Sequence, residues 1–126
     1  MDKKQIIIVD TDIIIKAFRG NKELEDELRS IKSNVVISAI TAFELYQGVQ
    51  SPRRVIELNK QLKVFSIVHL NEQISQKALS LFKTYKSRET LLVGDTLIAA
   101  TALLNNYKLF TDNKKDFSFI KELRFY

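Results

Sequence analysis

Two hydrophobic patterns alternate along the chain: short runs of mostly β-branched residues, and longer segments with apolar positions three or four apart. Ile6-Ile7-Ile8-Val9 is apolar at every position, as a strand buried on both faces of a parallel sheet requires. Val35-Val36-Ile37-Ser38 reads as a second short buried strand. Val64 to Leu70 and Lys108 to Thr111 read as further strands, and Leu123 to Tyr126 as an edge strand. Between them, Ile13 to Gly20 reads as a short helix or turn carrying Phe18. Asn21 is placed to cap a second helix, in which Leu24, Leu28 and Ile31 keep helical spacing. Another helix opens with Thr41-Ala42-Phe43-Glu44 and runs toward Gly48, and Arg53 to Lys63 has Val55, Leu58 and Leu62 on one face. A long helix starts at Asn71 or Ser75, with Ile74, Ala78, Leu81, Phe82 and Tyr85 as its stripe. Gly94 and Asp95 precede a helix rich in small residues, Leu97 to Leu104. Strands separated by helices predict an α/β fold with a mostly parallel central sheet flanked by helices.

Composition narrows the picture. A length of 126 residues suits one domain spanning 1–126, and 3 glycines with 1 proline leave little material for a linker. No apolar run approaches the roughly 20 residues that span a bilayer. Met1 to Gln5 leads into the first strand without a signal-peptide core, so a cytoplasmic location is expected. Cysteine is absent, which excludes disulfides and thiolate metal sites. The net charge of +5 favours a polyanionic partner, although basic soluble proteins are common.

The chemistry-bearing residues are acids. In open α/β sheets the working site lies at the carboxyl ends of the strands. Asp10, followed by Thr11 and Asp12, stands at such an end, where it serves either as a helix cap or as a ligand. Thr41-x-x-Glu44 has the form of a capping box, while the same helix start brings Glu44 over the edge that carries Asp10. Asp95 shares a helical stripe with Ile98, Ala99 and Ala102, so it heads a core-facing row where an unpaired acid is costly. Asp112, Asn113 and Asp116 follow another strand and read equally as a polar turn. Acids gathered at one edge repel, by about 4 kcal/mol for a pair at 4 Å and an effective dielectric of 20, unless protons or cations neutralise them. An all-oxygen set favours Mg²⁺ or Mn²⁺ over Zn²⁺. His69, the one histidine, falls in an apolar strand and reads as a strand residue rather than a ligand.

Four segments together resemble the PIN-domain ribonucleases: Ile8 to Ile15; Ser38-x-x-Thr41-x-x-Glu44-Leu45-x-x-Gly48; Asp95 to Ala102; and Leu109-Phe110-Thr111-Asp112-Asn113-x-x-Asp116-Phe117. The nearest subgroup is the VapC-like toxins of toxin–antitoxin pairs. The resemblance implies a PIN-like three-layer domain and Mg²⁺- or Mn²⁺-dependent cleavage of RNA by an activated water. It implies Asp10, Glu44 and Asp95 as catalytic acids and metal ligands, with Asp116 as the fourth and Thr11, Thr111, Asp112 and Asn113 in support. It also implies a cognate antitoxin and a homodimer. From position, Arg19, Arg53, Arg54 and Lys114 are the residues expected to track the RNA backbone.

Two other functions fit parts of the chain. Asp10-Thr11-Asp12 after a strand also resembles the aspartyl nucleophile and acid of haloacid-dehalogenase-type phosphatases, though the length leaves little room for a cap domain. A PIN-like module that binds RNA or protein without cutting is the non-enzymatic alternative.

Overall fold

The computed structural model describes residues 5–87 and 91–126. Three strands form the middle of one sheet: β1 (Ile7–Val9), β2 (Val35–Ser38) and β4 (Lys108–Phe110). The flanking strands are β3 (Ser66–Val68) and β5 (Arg124–Phe125), giving the order β3-β2-β1-β4-β5. Every pairing is parallel. β1 is central because it is apolar on both faces: Ile7 and Val9 join one core, and Ile8, pointing the other way, joins a second.

Among the described residues, six α-helices cover the two faces. On one side lie α1 (Thr11–Phe18), α2 (Lys22–Ile31), α3 (Ala39–Gln47) and α4 (Pro52–Leu62), contributing Ile13, Ile14, Leu28, Leu45, Leu58 and Leu62 to the first core. On the other lie α5 (Glu72–Tyr85) and α6 (Val93–Asn105), whose Ile74, Ala78, Leu81, Ile98, Ala99 and Ala102 pack with Ile8, Leu109 and Phe117. Helix–sheet–helix layering follows directly from the two-faced strands. Among the described residues no helix is long and apolar enough to cross a membrane.

Local chemistry sets the element ends. Asn21 caps α2 by accepting from the Leu24 amide, and Asn71 caps α5 by accepting from the Ile74 amide. Gly20, at φ +100°, makes the turn between α1 and α2 that an L side chain rarely adopts. Three expectations need correction. α6 begins at Val93, so Gly94 and Asp95 lie inside its first turn rather than before it; Leu92 precedes it without a side-chain cap. α3 is capped by Ser38, whose hydroxyl accepts from the Ile40 amide, so Thr41 and Glu44 do not form a capping box. His69 is exposed just past β3, a short edge strand that is itself largely solvated.

The sheet reverses its winding at β1: the chain steps to β2 and β3 on one side, then to β4 and β5 on the other. Loops leaving β1 and β4 therefore part at their carboxyl ends, the position where α/β sheets place ligands.

Candidate active site

Asp10 occupies that switch point. The Asp10 amide extends the β1–β4 ladder by donating to the Phe110 carbonyl at 2.9 Å, which fixes the residue before α1 begins. One carboxylate oxygen accepts from the Thr11 amide and the other from the Thr111 hydroxyl, both at 2.8 Å. Only 5% of Asp10 is exposed. Burial raises its pKa, Asp12 adds repulsion, and Asp95 adds a little more; the Thr111 hydrogen bond opposes them without prevailing. The outcome is a carboxyl group pushed up to about 7.

Asp12 belongs to the same constellation. Its Oδ1 accepts from the Ile13 amide, while Oδ2 accepts from the Asp112 amide at 3.2 Å and the Asn113 side-chain amide at 3.0 Å. The carboxylate thus ties the turn after β4 to the start of α1. The Asn113 amide in turn donates to the Thr111 hydroxyl at 3.0 Å, so Thr111 is fixed while it donates to Asp10. Asp112 turns its own carboxylate to Lys16, 2.8 Å away.

Glu44 arrives from α3. Its Oε1 accepts from the Thr11 hydroxyl at 2.6 Å, and that hydroxyl lies 3.0 Å from the hydroxyl of Thr41. Asp95 arrives from the first turn of α6 and is half-buried. Burial is the main cause that lifts its pKa to about 6, followed by the charges of Asp116, Glu44 and Asp12. Asp116 itself sits on a single 3-10 turn, Lys114–Asp116, after β4. Acids from three remote segments are therefore close enough for their charges to act on Asp95, which comes from a fourth. Among the described residues no three His, Asp or Glu side chains stand close enough together to hold an ion. Two of the acids are held by hydroxyl donors, Asp10 by Thr111 and Glu44 by Thr11. The donor set is carboxylate and hydroxyl oxygen, and its mutual repulsion is what a hard divalent cation relieves, so the residues fit Mg²⁺ or Mn²⁺.

The PIN domain family model matches residues 7–123 of the chain. The chain belongs to the PIN-domain family. A curated relative, ribonuclease VapC1 of Methanocaldococcus jannaschii, is 35% identical over 117 residues, covering 92% of this chain and 82% of its own length. Among solved structures, a toxin–antitoxin complex from Klebsiella pneumoniae matches with a TM-score of 0.79 at 30% identity, covering 93% of this chain and 94% of that one. VapBC-1 of nontypeable Haemophilus influenzae matches with a TM-score of 0.82 at 27% identity, covering 97% of each. The family match leaves the phosphatase reading of Asp10 without support.

Within this PIN-domain chain the basic residues separate. Arg19 and Arg54 line one cleft together with Glu44, and Arg53 lines an adjoining hollow with Arg54, Ser51 and Glu57. Lys114 instead stands over the Phe125 ring, 5.9 Å from its centre. A more apolar pocket bounded by Ala17, Phe18, Leu28 and Phe65 contains none of the site acids. Sequence reasoning gave no role in the site to Lys16 or Gly94. Lys16 is one helical turn after Asp12, but its partner Asp112 lies 96 residues away, beyond any local pattern. Gly94 reads in the sequence as a residue ahead of the helix, so its place inside α6 is visible only in the fold.

Proposed function

We propose that this PIN-domain protein is a divalent-cation-dependent endoribonuclease that acts as the toxin of a toxin–antitoxin pair, folding as one domain over 1–126. The observation that carries the reading is the gathering of Asp10, Glu44, Asp95 and Asp116 at one sheet edge, where burial and the neighbouring acids raise the proton affinity of Asp10 and Asp95. Asp10 and Asp95 are the principal ligands, held by the Thr111 hydroxyl and by the first turn of α6. Glu44 and Asp116 complete the set or accept the proton released by the attacking water. Bound there, Mg²⁺ or Mn²⁺ supplies acidity at that water and charge compensation at the scissile phosphate. Thr11 orients Glu44, and Asp12 with Asn113 keeps Thr111 in place. Arg19, Arg53 and Arg54 neutralise phosphates of the RNA strand, with Lys114 a more distant contributor. No protein nucleophile is required.

The toxin role rests on the relatives, which are named as a VapC ribonuclease and as toxin–antitoxin complexes. An antitoxin is therefore the expected protein partner, acting in the cytoplasm. Phe43, Leu92 and Val93 are exposed apolar residues next to the site acids in sequence, and a second copy of the chain is proposed to cover them. The test is expression from an inducible promoter together with digestion of labelled RNA by the purified chain. Growth arrest and Mn²⁺-dependent cutting are expected, and both should vanish in Glu44→Gln and Asp95→Asn. Tight RNA binding without cutting, at any divalent-ion concentration, would establish the non-cleaving module instead.

A further inference from the structure

Gly94 lies in the first turn of α6 with a backbone that does not call for glycine: among the described glycines only Gly20 has positive φ. Space is the reason. A Cβ at position 94 would stand 3.1 Å from Glu44 Oε2, 3.8 Å from its Cδ and 3.9 Å from Ile40 Cγ1. The other oxygen of Glu44 is already engaged, since Oε1 accepts from Thr11 at 2.6 Å. Thr11 has a single hydroxyl proton, and the short 2.6 Å bond commits it to Glu44 Oε1. The 3.0 Å bond between the two threonine hydroxyls must then run from Thr41 to Thr11. Thr41 is fully buried, so its hydroxyl has no water to turn to. The result is a directed chain, Thr41 to Thr11 to Glu44, in which each bond polarises the next.

We propose that Thr41 and Gly94 are positioning residues that leave Glu44 a single working oxygen, Oε2, directed at the first turn of α6 beside Asp95. The hydroxyl chain occupies Oε1, and the missing side chain at 94 keeps Oε2 seated against α6. This rests on the cation-dependent reading of the site. It also makes a distinctive demand on substitution. The atom that a Cβ would crowd is the far end of a flexible side chain, so Gly94→Ala should displace Glu44 and leave the fold intact.

The test uses the full chain without RNA, with Mn²⁺ binding followed by titration calorimetry and folding by thermal melts. Gly94→Ala should bind Mn²⁺ about 10-fold more weakly, the usual scale for residues that orient ligands, while its melting temperature stays level or rises. Thr41→Val should weaken binding in the same direction, and Thr41→Ser, which restores the hydroxyl, should recover it. In a Glu44→Ala background Gly94→Ala should cause no further loss. Undiminished Mn²⁺ binding by Gly94→Ala overturns the proposal, as does an equal loss in the Glu44→Ala background. Thr41→Ser behaving like Thr41→Val overturns it as well, as does a lowered melting temperature for Gly94→Ala, which would place the strain in the backbone. A wild-type chain that binds no Mn²⁺ overturns the cation reading itself, and this inference with it.

Discussion

Replacing Asp10 with asparagine should make the cation-free protein more stable at neutral and alkaline pH while destroying its function. The carboxyl pKa rises from 3.8 to about 7 in the folded chain, chiefly through burial. A folded-state pKa above the unfolded value means that the associated stability is complete below about pH 4 and is lost as pH rises to about 7. At 1.36 kcal/mol per unit, the ionised carboxylate costs up to about 4 kcal/mol at pH 8. Asparagine keeps the shape and the acceptor for the Thr11 amide, but its NH₂ cannot accept from Thr111 as Oδ2 does. Losing that bond returns about 1 kcal/mol, leaving a net gain of about 2–3 kcal/mol. Urea unfolding in EDTA, followed by circular dichroism from pH 4.5 to 8, measures this difference. Asp10→Asn should exceed wild type by that amount at pH 8 and lose its advantage near pH 4.5. Mn²⁺ at 100 times its dissociation constant should then add about 2.7 kcal/mol to wild type alone. An Asp10→Asn protein less stable than wild type at pH 8, or a difference independent of pH, would refute the reasoning.

Thr111→Val removes the bond that lowers the Asp10 pKa, so the pH midpoint for Mn²⁺ binding should move upward, with affinity about 10-fold lower at pH 7. Calorimetric titrations at several pH values check this; an unshifted midpoint contradicts it. Ser38→Ala deletes the α3 cap and should cost about 1 kcal/mol in chemical unfolding. Ala99→Leu, at a position with no exposure between α6 and the sheet, should cost about 1–3 kcal/mol or more by overpacking, read from the same unfolding curves.

Much of this architecture is local chemistry and so is legible in the chain. The β-branched runs at 6–9 and 35–37 give β1 and most of β2, because strands buried on both faces read as near-continuous apolar runs. Asn21 is legible as a cap, and Asn71 as one of two candidates with Ser75, because a capping side chain bonds an amide only three residues on. The start of α6 is harder to see: Leu92 provides no capping side chain, and Gly94 mimics a helix breaker while serving the space needs of Glu44. Thr41 and Glu44 imitate a capping box, yet Ser38 takes the cap and Glu44 reaches Thr11 instead. That partnership spans 33 residues, and Thr111 reaches Asp10 across 101. Such pairings exist only once β1, β2 and β4 lie side by side. Asp12 was visible as a carboxylate, but its role in holding the 112–113 turn depends on the β1–β4 register.

On the proposed reading, acids from four segments act together through a divalent ion to drive water onto an RNA phosphate. The most direct measurement is digestion of an end-labelled RNA by the purified chain in Mn²⁺, with the new ends identified chemically. Water attack predicts ends free of 2′,3′-cyclic phosphate, with cutting abolished by EDTA and by Asp10→Asn. Cutting that persists in EDTA, or products ending in cyclic phosphate, would contradict it.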